Sequence, residues 1–140
     1  MTARMLTRRL TSRAGEGNLA GGDLPVHFFT IVLNGEPFIR YHLDVFRRLP
    51  FRWHWHVVEG VASLVRDTAW SAAAGGRIDV AAHAHGLSVD GTTAYLDEIA
   101  ADDPERISIY RKPAGLFWDG KREMVSAPLP NICEECGSHW

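Results

Sequence analysis

Two short segments, each followed by a polar turn with a glycine, most constrain how this chain folds. The first, residues 26–33, is rich in β-branched and aromatic side chains and runs into the turn 34–36. The second, Trp53–Glu59, alternates its side chains between two faces and is followed by Gly60. Such runs are typical of strands, and the first is apolar enough to be covered on both faces. The sequence therefore predicts two strands of a sheet.

Helices are predicted between and after these strands. Apolar residues recur at three- and four-residue steps over 37–49, and Pro37 suits the first turn of that helix. An alanine-rich stretch, 61–74, predicts a second helix. Asp90 and Thr92 are N-cap candidates for a third. Each predicted helix therefore follows a predicted strand or connects two of them.

A third strand is predicted over 107–110, where β-branched and aromatic residues follow the last of these helices. Strands that alternate with helices at this spacing are joined by right-handed crossovers and form a parallel sheet. The predicted fold class is α/β, with a Rossmann-like, doubly wound and mainly parallel sheet.

The chain divides into a tail and one folded unit. Residues 1–24 mix arginine with serine and threonine and then become glycine-rich, so they lack an apolar face to bury. We expect a flexible basic tail there and an ordered domain over 25–140. An organelle-targeting peptide is the alternative interpretation of the arginine-rich start.

Composition narrows the function classes. The 140 residues carry a formal net charge of −2, which argues against a nucleic-acid-binding protein. The longest apolar run is strand-sized, so no membrane span is expected. The cysteines, Cys133 and Cys136, lie close together, which argues against a disulfide scaffold. A cytoplasmic location is expected, and the oligomeric state stays open.

Parallel sheets place ligands beyond the carboxyl ends of their strands, so the turns there are the candidate site. Neither a GxGxxG nor a GxxxxGK[ST] pattern follows the first strand. The fingerprints of dinucleotide-binding and P-loop proteins are therefore missing.

Three segments carry a resemblance to a known family. Residues 30–39 run from a strand into an Asn-Gly-Glu-Pro turn, Glu59-Gly60 ends the next strand, and 88–93 reads Ser-Val-Asp-Gly-Thr-Thr. This order resembles the family 2-like glycosyltransferases, whose catalytic domain has the GT-A fold, over roughly residues 26–136. The chain departs from the family pattern because 61–87 separate the acidic residue from the Ser-Asp-Gly-Thr turn.

The resemblance implies that the chain binds a nucleotide-diphosphate sugar. It places four residues around the nucleoside and basic residues after the third strand near the diphosphate. Cations there would stabilise the leaving group by roughly 2–4 kcal/mol if preorganised. The implied substrate-binding residues are Asn34, Glu36, Glu59, Asp90, Arg111, Lys121 and Arg122.

The resemblance also implies Mg²⁺ or Mn²⁺, held by an Asp-x-Asp motif after a further strand. The chain reaches Trp140 without that strand or motif, so its metal ligands and later catalytic base are absent from this sequence. We therefore expect the front half of a GT-A-type domain that binds nucleotide sugar. No catalytic residue is predicted, and whether the chain is an enzyme stays open.

Two other function classes stay open. One is a Rossmann-like methyltransferase, which also has an acidic residue after its second strand, although the glycine-rich first turn is missing. The other is a zinc-stabilised or metal-dependent α/β module. Its candidate ligands are His54-x-His56, His83-x-His85 and Cys133-x-x-Cys136 with His139.

Overall fold

The computed structural model describes residues 24–62 and 80–135. The predicted tail up to residue 23 and most of the predicted helix over 61–74 lie outside them. No helix within the described residues is long and apolar enough to cross a membrane. In chain order the elements are β1 (Val26–Val32), α1 (Arg40–Phe46), β2 (Trp53–Glu59), a 3₁₀ turn (Val80–Ala82), α2 (Thr92–Asp102), β3 (Ile107–Arg111), α3 (Lys121–Ser126) and α4 (Leu129–Glu135).

The three strands form a parallel sheet in the order β1-β2-β3, which confirms the α/β class and the parallel sheet. Trp53 at the start of β2 pairs with Val26, and Trp55 pairs with Ile107 of β3. Every residue of β2 is buried, as expected for the central strand.

Both crossover helices pack on one face of the sheet. Leu43 of α1 and Leu96 of α2 join the same core as Trp55 of β2. Two right-handed crossover connections that each move to the next strand in the same direction across the sheet place their helices on the same face. The strand order does not reverse within the described sheet, so the reversal that defines a doubly wound sheet is not found there.

The opposite face of the sheet is covered in part by the C-terminal helices. Met124 of α3 and Trp118 pack there on Val58 of β2, with Tyr110 of β3 beside them. Ala62 forms a parallel bridge with Trp118, so residues 61–62 are extended, where the sequence predicted the start of a helix. The sheet therefore lies between two layers of unequal size.

The bounds of the predicted helix 37–49 were wrong at both ends. Helix α1 begins at Arg40 and ends at Phe46, and tight turns with bonds to the third preceding residue flank it, as between the Arg40 N–H and the Pro37 carbonyl at 3.2 Å. Such turns are common at helix ends.

The predicted N-cap of α2 was also wrong by one residue. Gly91 occupies the cap position, between the candidates Asp90 and Thr92. Asp90 still accepts a hydrogen bond from the Thr92 N–H at 2.9 Å, so the carboxylate supports the helix start from one residue further out.

Candidate functional site

The turn after β1 is clamped to the loop that precedes α2. Three consecutive backbone N–H groups, those of residues 34–36, each donate to a side chain of that loop or of the first residue of α2. The bonds are Asn34 N to Ser88 Oγ at 3.1 Å, Gly35 N to Thr92 Oγ1 at 2.8 Å and Glu36 N to Asp90 Oδ2 at 3.0 Å. Two of the segments that carry the resemblance therefore meet at the carboxyl edge of the sheet.

The Asn34 side chain extends this clamp. Its Nδ2 donates to the Ala82 carbonyl at 2.6 Å, and its Oδ1 accepts from the Val89 N–H at 2.8 Å. Asn34 has a φ of 54°, in the left-handed region that asparagine tolerates better than most residues. An asparagine here therefore shapes the turn and holds the neighbouring loop.

Glu59 at the end of β2 is fully buried, and three groups donate to its carboxylate. Thr93 Oγ1 and the Ser88 N–H approach Oε2 at 2.6 and 3.3 Å, and Arg111 Nε approaches Oε1 at 2.6 Å. Burial acts to raise the pKa of Glu59, but the hydrogen bonds from Thr93, Ser88 and Arg111 outweigh it, so the pKa lies below the usual value. Glu59 is therefore held as a carboxylate.

Arg111 at the end of β3 lies between two carboxylates. Beside its bond to Glu59, its Nη1 donates to Asp97 at 2.5 Å and its Nη2 donates to the Thr93 carbonyl at 3.1 Å. Burial acts to lower the pKa of Arg111, but the bonds to Asp97 and Glu59 outweigh it and raise the pKa. The guanidinium joins β2, β3 and α2 and keeps 22% of its side-chain surface exposed.

The two other predicted cations are not joined to this cluster. Lys121 and Arg122 are exposed in the first turn of α3. No hydrogen bond or ion pair within residues 24–62 and 80–135 links either side chain to Glu59 or Arg111. Lys112, which the sequence did not single out, instead pairs with Glu123 of α3 and lies 5.1 Å from the ring centroid of Trp118.

A second polar cluster, made of histidines, lies on the face of the sheet opposite α1 and α2. His54 and His56 share one face of β2, as the alternation of the strand predicted, and their rings are stacked with centroids 4.1 Å apart. His27 of β1 joins them, with its Nδ1 2.9 Å from His56 Nε2. Burial, followed by the nearby His54 and His27, lowers the pKa of His56 to about 3, so its ring is neutral near pH 7.

Sequence inspection missed His27 because its position beside β2 depends on the strand register. His27 and His54 are paired neighbours in the parallel ladder. The predicted pair His83-x-His85 does not form, since these residues lie in a loop where His83 accepts from the Gly86 N–H at 3.0 Å and His85 is exposed. The side chains of Cys133, Cys136 and His139, the third set of candidate ligands, lie outside the part of the chain whose side chains are described.

The two clusters differ in the metals that they suit. Mg²⁺ and Mn²⁺ need several oxygen ligands, whereas Glu59 and Asp90 already accept bonds from protein groups. In the part of the chain that the structure describes, the group of potential metal ligands consists of His27, His54 and His56. The described residues therefore do not fit the cation that the resemblance implies.

The amino ends of the strands form a separate groove. A cavity of 630 Å³ is lined there by Pro25, Arg47, Trp53 and Arg106, among others. Arg106 lies 4.4 Å from the Trp53 ring centroid and pairs with Asp103. None of the seven predicted site residues lines this cavity, so it is unrelated to the carboxyl-edge cluster.

Comparison of the chain with protein-family models, curated proteins and solved structures found no match. The geometry of the carboxyl edge is therefore the basis for a proposed function. That edge brings together Asn34, Glu36, Glu59, Asp90 and Arg111 and leaves Lys121 and Arg122 apart.

Proposed function

We propose that this chain is a glycosyltransferase-like domain that binds a nucleotide-diphosphate sugar at the carboxyl edge of its parallel sheet. The domain would have a Rossmann-like, GT-A-type arrangement in which the turns after β1 and β2 and the start of α2 surround the nucleoside. Binding, rather than turnover, is the activity proposed for these residues.

One observation carries the proposal. Residues 61–87 separate Glu59 from the Ser-Asp-Gly-Thr turn along the chain, yet Ser88 and Thr93 both donate to the Glu59 carboxylate. The family pattern runs these two segments together, and here the fold makes them neighbours in space. Although residues 61–87 interrupt the family pattern in sequence, Glu59 still lies beside the Ser-Asp-Gly-Thr turn in space.

Burial divides the predicted residues into two roles. Glu59 is inaccessible and fully bonded, so it is proposed to orient Thr93 and Arg111. Glu36 and Asp90 keep part of their surface at the edge. The Glu36 carboxylate pairs with Arg40, and the Asp90 carboxylate accepts from two backbone N–H groups. A base or ribose hydroxyl would use the acceptor sites that remain on these oxygens. Glu36 and Asp90 are the proposed nucleoside contacts, with Asn34 shaping the turn between them.

Basic side chains are the candidates for the diphosphate end of the site. Two carboxylates already balance the charge of Arg111. Lys121 and Arg122 are exposed, and long basic side chains can reach several ångströms from their backbone. Arg111 is therefore proposed to hold the site together, and Lys121 and Arg122 are proposed to contact the phosphates.

Calorimetric titration of the full chain with uridine and guanosine diphosphates, with Mg²⁺ or Mn²⁺ present, tests the proposal. Glu36→Gln is the sharpest variant, because the clamp uses only the backbone N–H of Glu36, while its carboxylate pairs with the exposed Arg40 at 2.7 Å. Loss of its carboxylate should weaken nucleotide binding roughly tenfold, about 1.4 kcal/mol. Asp102→Asn, exposed at the far end of α2, is the matched control and should leave binding unchanged.

Three outcomes would overturn the proposal. They are no binding of either nucleotide by the folded chain, equal binding by the Glu36→Gln variant, and binding of S-adenosylmethionine in place of the nucleotides. The last result would favour the methyltransferase interpretation. Circular dichroism of each variant shows whether a loss of binding reflects a loss of fold.

A further inference from the structure

We propose that His27, His54 and His56 form a binding site for a zinc-type divalent ion on the face of the sheet opposite α1 and α2. Water would take a fourth coordination position. The site is separate from the carboxyl-edge cluster and does not depend on the proposed nucleotide function.

Strand register brings the three side chains together. His54 and His56 lie two residues apart on the central strand, so both point to one face. His27 pairs with His54 across the ladder and points to that face as well. Because both strands belong to one rigid sheet, the three imidazoles are positioned before any ion binds.

The distances are close to those that a shared ion requires. A nitrogen atom from each ring lies within 4.8 Å of the other two, and His27 Nδ1 lies 2.9 Å from His56 Nε2. Two nitrogens on one tetrahedral zinc, each about 2.0–2.1 Å from the metal, are about 3.3 Å apart. An ion therefore needs a widening of a few tenths of an ångström between His27 and His56, and any pair of nitrogens as far apart as 4.8 Å must close by about 1.5 Å.

Neighbouring hydroxyl groups orient the rings of His54 and His56. His56 Nδ1 faces Tyr110 Oη at 3.0 Å, and Tyr110 Oη accepts from Asn131 Nδ2 at 2.8 Å. His54 Nε2 lies 2.7 Å from Ser108 Oγ. Histidine ligands in metal sites are usually oriented by such bonds to the second ring nitrogen, as His56 would be with Nε2 toward the ion.

The donor set selects the class of metal. Three imidazoles suit Zn²⁺ and its neighbours among the divalent transition metals, whereas Mg²⁺ and Ca²⁺ require oxygen ligands. Sites with three histidines and a water are a known form of protein zinc coordination. Zn²⁺ is therefore the probe of choice.

The test is a Zn²⁺ titration of the chelator-treated full chain, monitored by calorimetry, in a Cys133→Ser/Cys136→Ser background that removes the competing thiols. We expect one zinc per chain. His27→Gln and His56→Gln should each weaken binding more than roughly 100-fold, and Tyr110→Phe should weaken it within the roughly 10- to 100-fold range of an outer partner. His85→Gln, which alters an exposed histidine, is the matched control.

A second measurement identifies the ligands directly. Co²⁺ in place of Zn²⁺ should give the absorption of a nitrogen- and oxygen-ligated ion in the cysteine-free background. The proposal fails if the cysteine-free chain binds no zinc or if His27→Gln in that background binds as tightly as the cysteine-free chain itself. It also fails if His85→Gln abolishes binding. His27 is only half-buried on β1, so its variant tests the site even where His56→Gln does not fold.

Discussion

Glu59 shows how burial changes the interpretation of a single residue. The family resemblance makes it a nucleoside ligand, but the structure leaves no part of it exposed. Its carboxylate instead joins Thr93 of α2 to Arg111 of β3. The motif therefore placed Glu59 at the end of β2, where the structure has it, while solvent exposure decides which neighbouring side chains can contact a ligand.

Glu59→Gln is expected to destabilise the fold near neutral pH by about 3 kcal/mol, the lower end of the range for a broken buried ion pair, because Arg111 keeps Asp97. Since the folded-state pKa of Glu59 lies below 4.5, the unfolded chain binds more protons, and the contribution of this residue is lost as pH falls below 4.5. Urea unfolding of both proteins at several pH values measures the difference.

The difference in unfolding free energy between the parent and the Glu59→Gln variant should therefore become smaller at acidic pH. Asp97→Asn is the comparison variant, because its side chain is 60% exposed and its ion pair with Arg111 contributes less. A gap between parent and Glu59→Gln that stays constant from neutral pH to below 4.5 would contradict the assigned ionisation.

At the scale of elements, α1 and α2 are held by one aromatic and aliphatic core. Phe46 of α1 stacks on Phe28 of β1 at 4.5 Å and meets the edge of Trp55 at 5.3 Å. Leu96 of α2 is fully buried in the same core. Both helices depend on this face of the sheet, because neither is long enough to be stable alone.

Leu96→Ala should lower the free energy of unfolding by about 2–5 kcal/mol, because it leaves a cavity between α2 and the sheet. Glu98→Ala, on the exposed side of the same helix, is the control and should change stability by less than about 0.5 kcal/mol. Thermal unfolding followed by circular dichroism compares the two variants. Equal melting temperatures would contradict the burial of α2 on this face.

Local patterns predicted the elements better than their ends or partners. The strands and α2 follow from apolar runs and helical spacing, whereas the ends of α1 depend on tight turns that periodicity does not encode. The pairing of His27 with His54 required the register between two strands. The strand order of the described sheet, which does not reverse, likewise follows from the crossovers rather than from any residue pattern.

At the scale of the whole molecule, three distant parts of the chain meet beside Gly60. Its N–H donates to the Val32 carbonyl at 3.1 Å, and the Gly86 carbonyl accepts from the next N–H, that of Val61, at 3.0 Å. Trp118 Nε1 donates to the Glu59 carbonyl at 3.1 Å. This junction holds the carboxyl edge together, and sequence reasoning could not find it because its members are far apart along the chain.

Gly60→Ala is expected to disrupt this junction. Gly60 has a φ of 137°, and an added Cβ would lie 3.0 Å from Trp118 Nε1 and 3.2 Å from the Gly86 carbonyl oxygen. Backbone strain alone costs about 1–3 kcal/mol, and the crowding adds to it. Gly115→Ala is the matched control, because Gly115 also has a positive φ, 87°, but nothing lies within 4 Å of its added Cβ. Chemical unfolding should therefore show a larger loss of stability for Gly60→Ala than for Gly115→Ala, and equal losses would mean that the contacts with Trp118 and Gly86 do not constrain the edge.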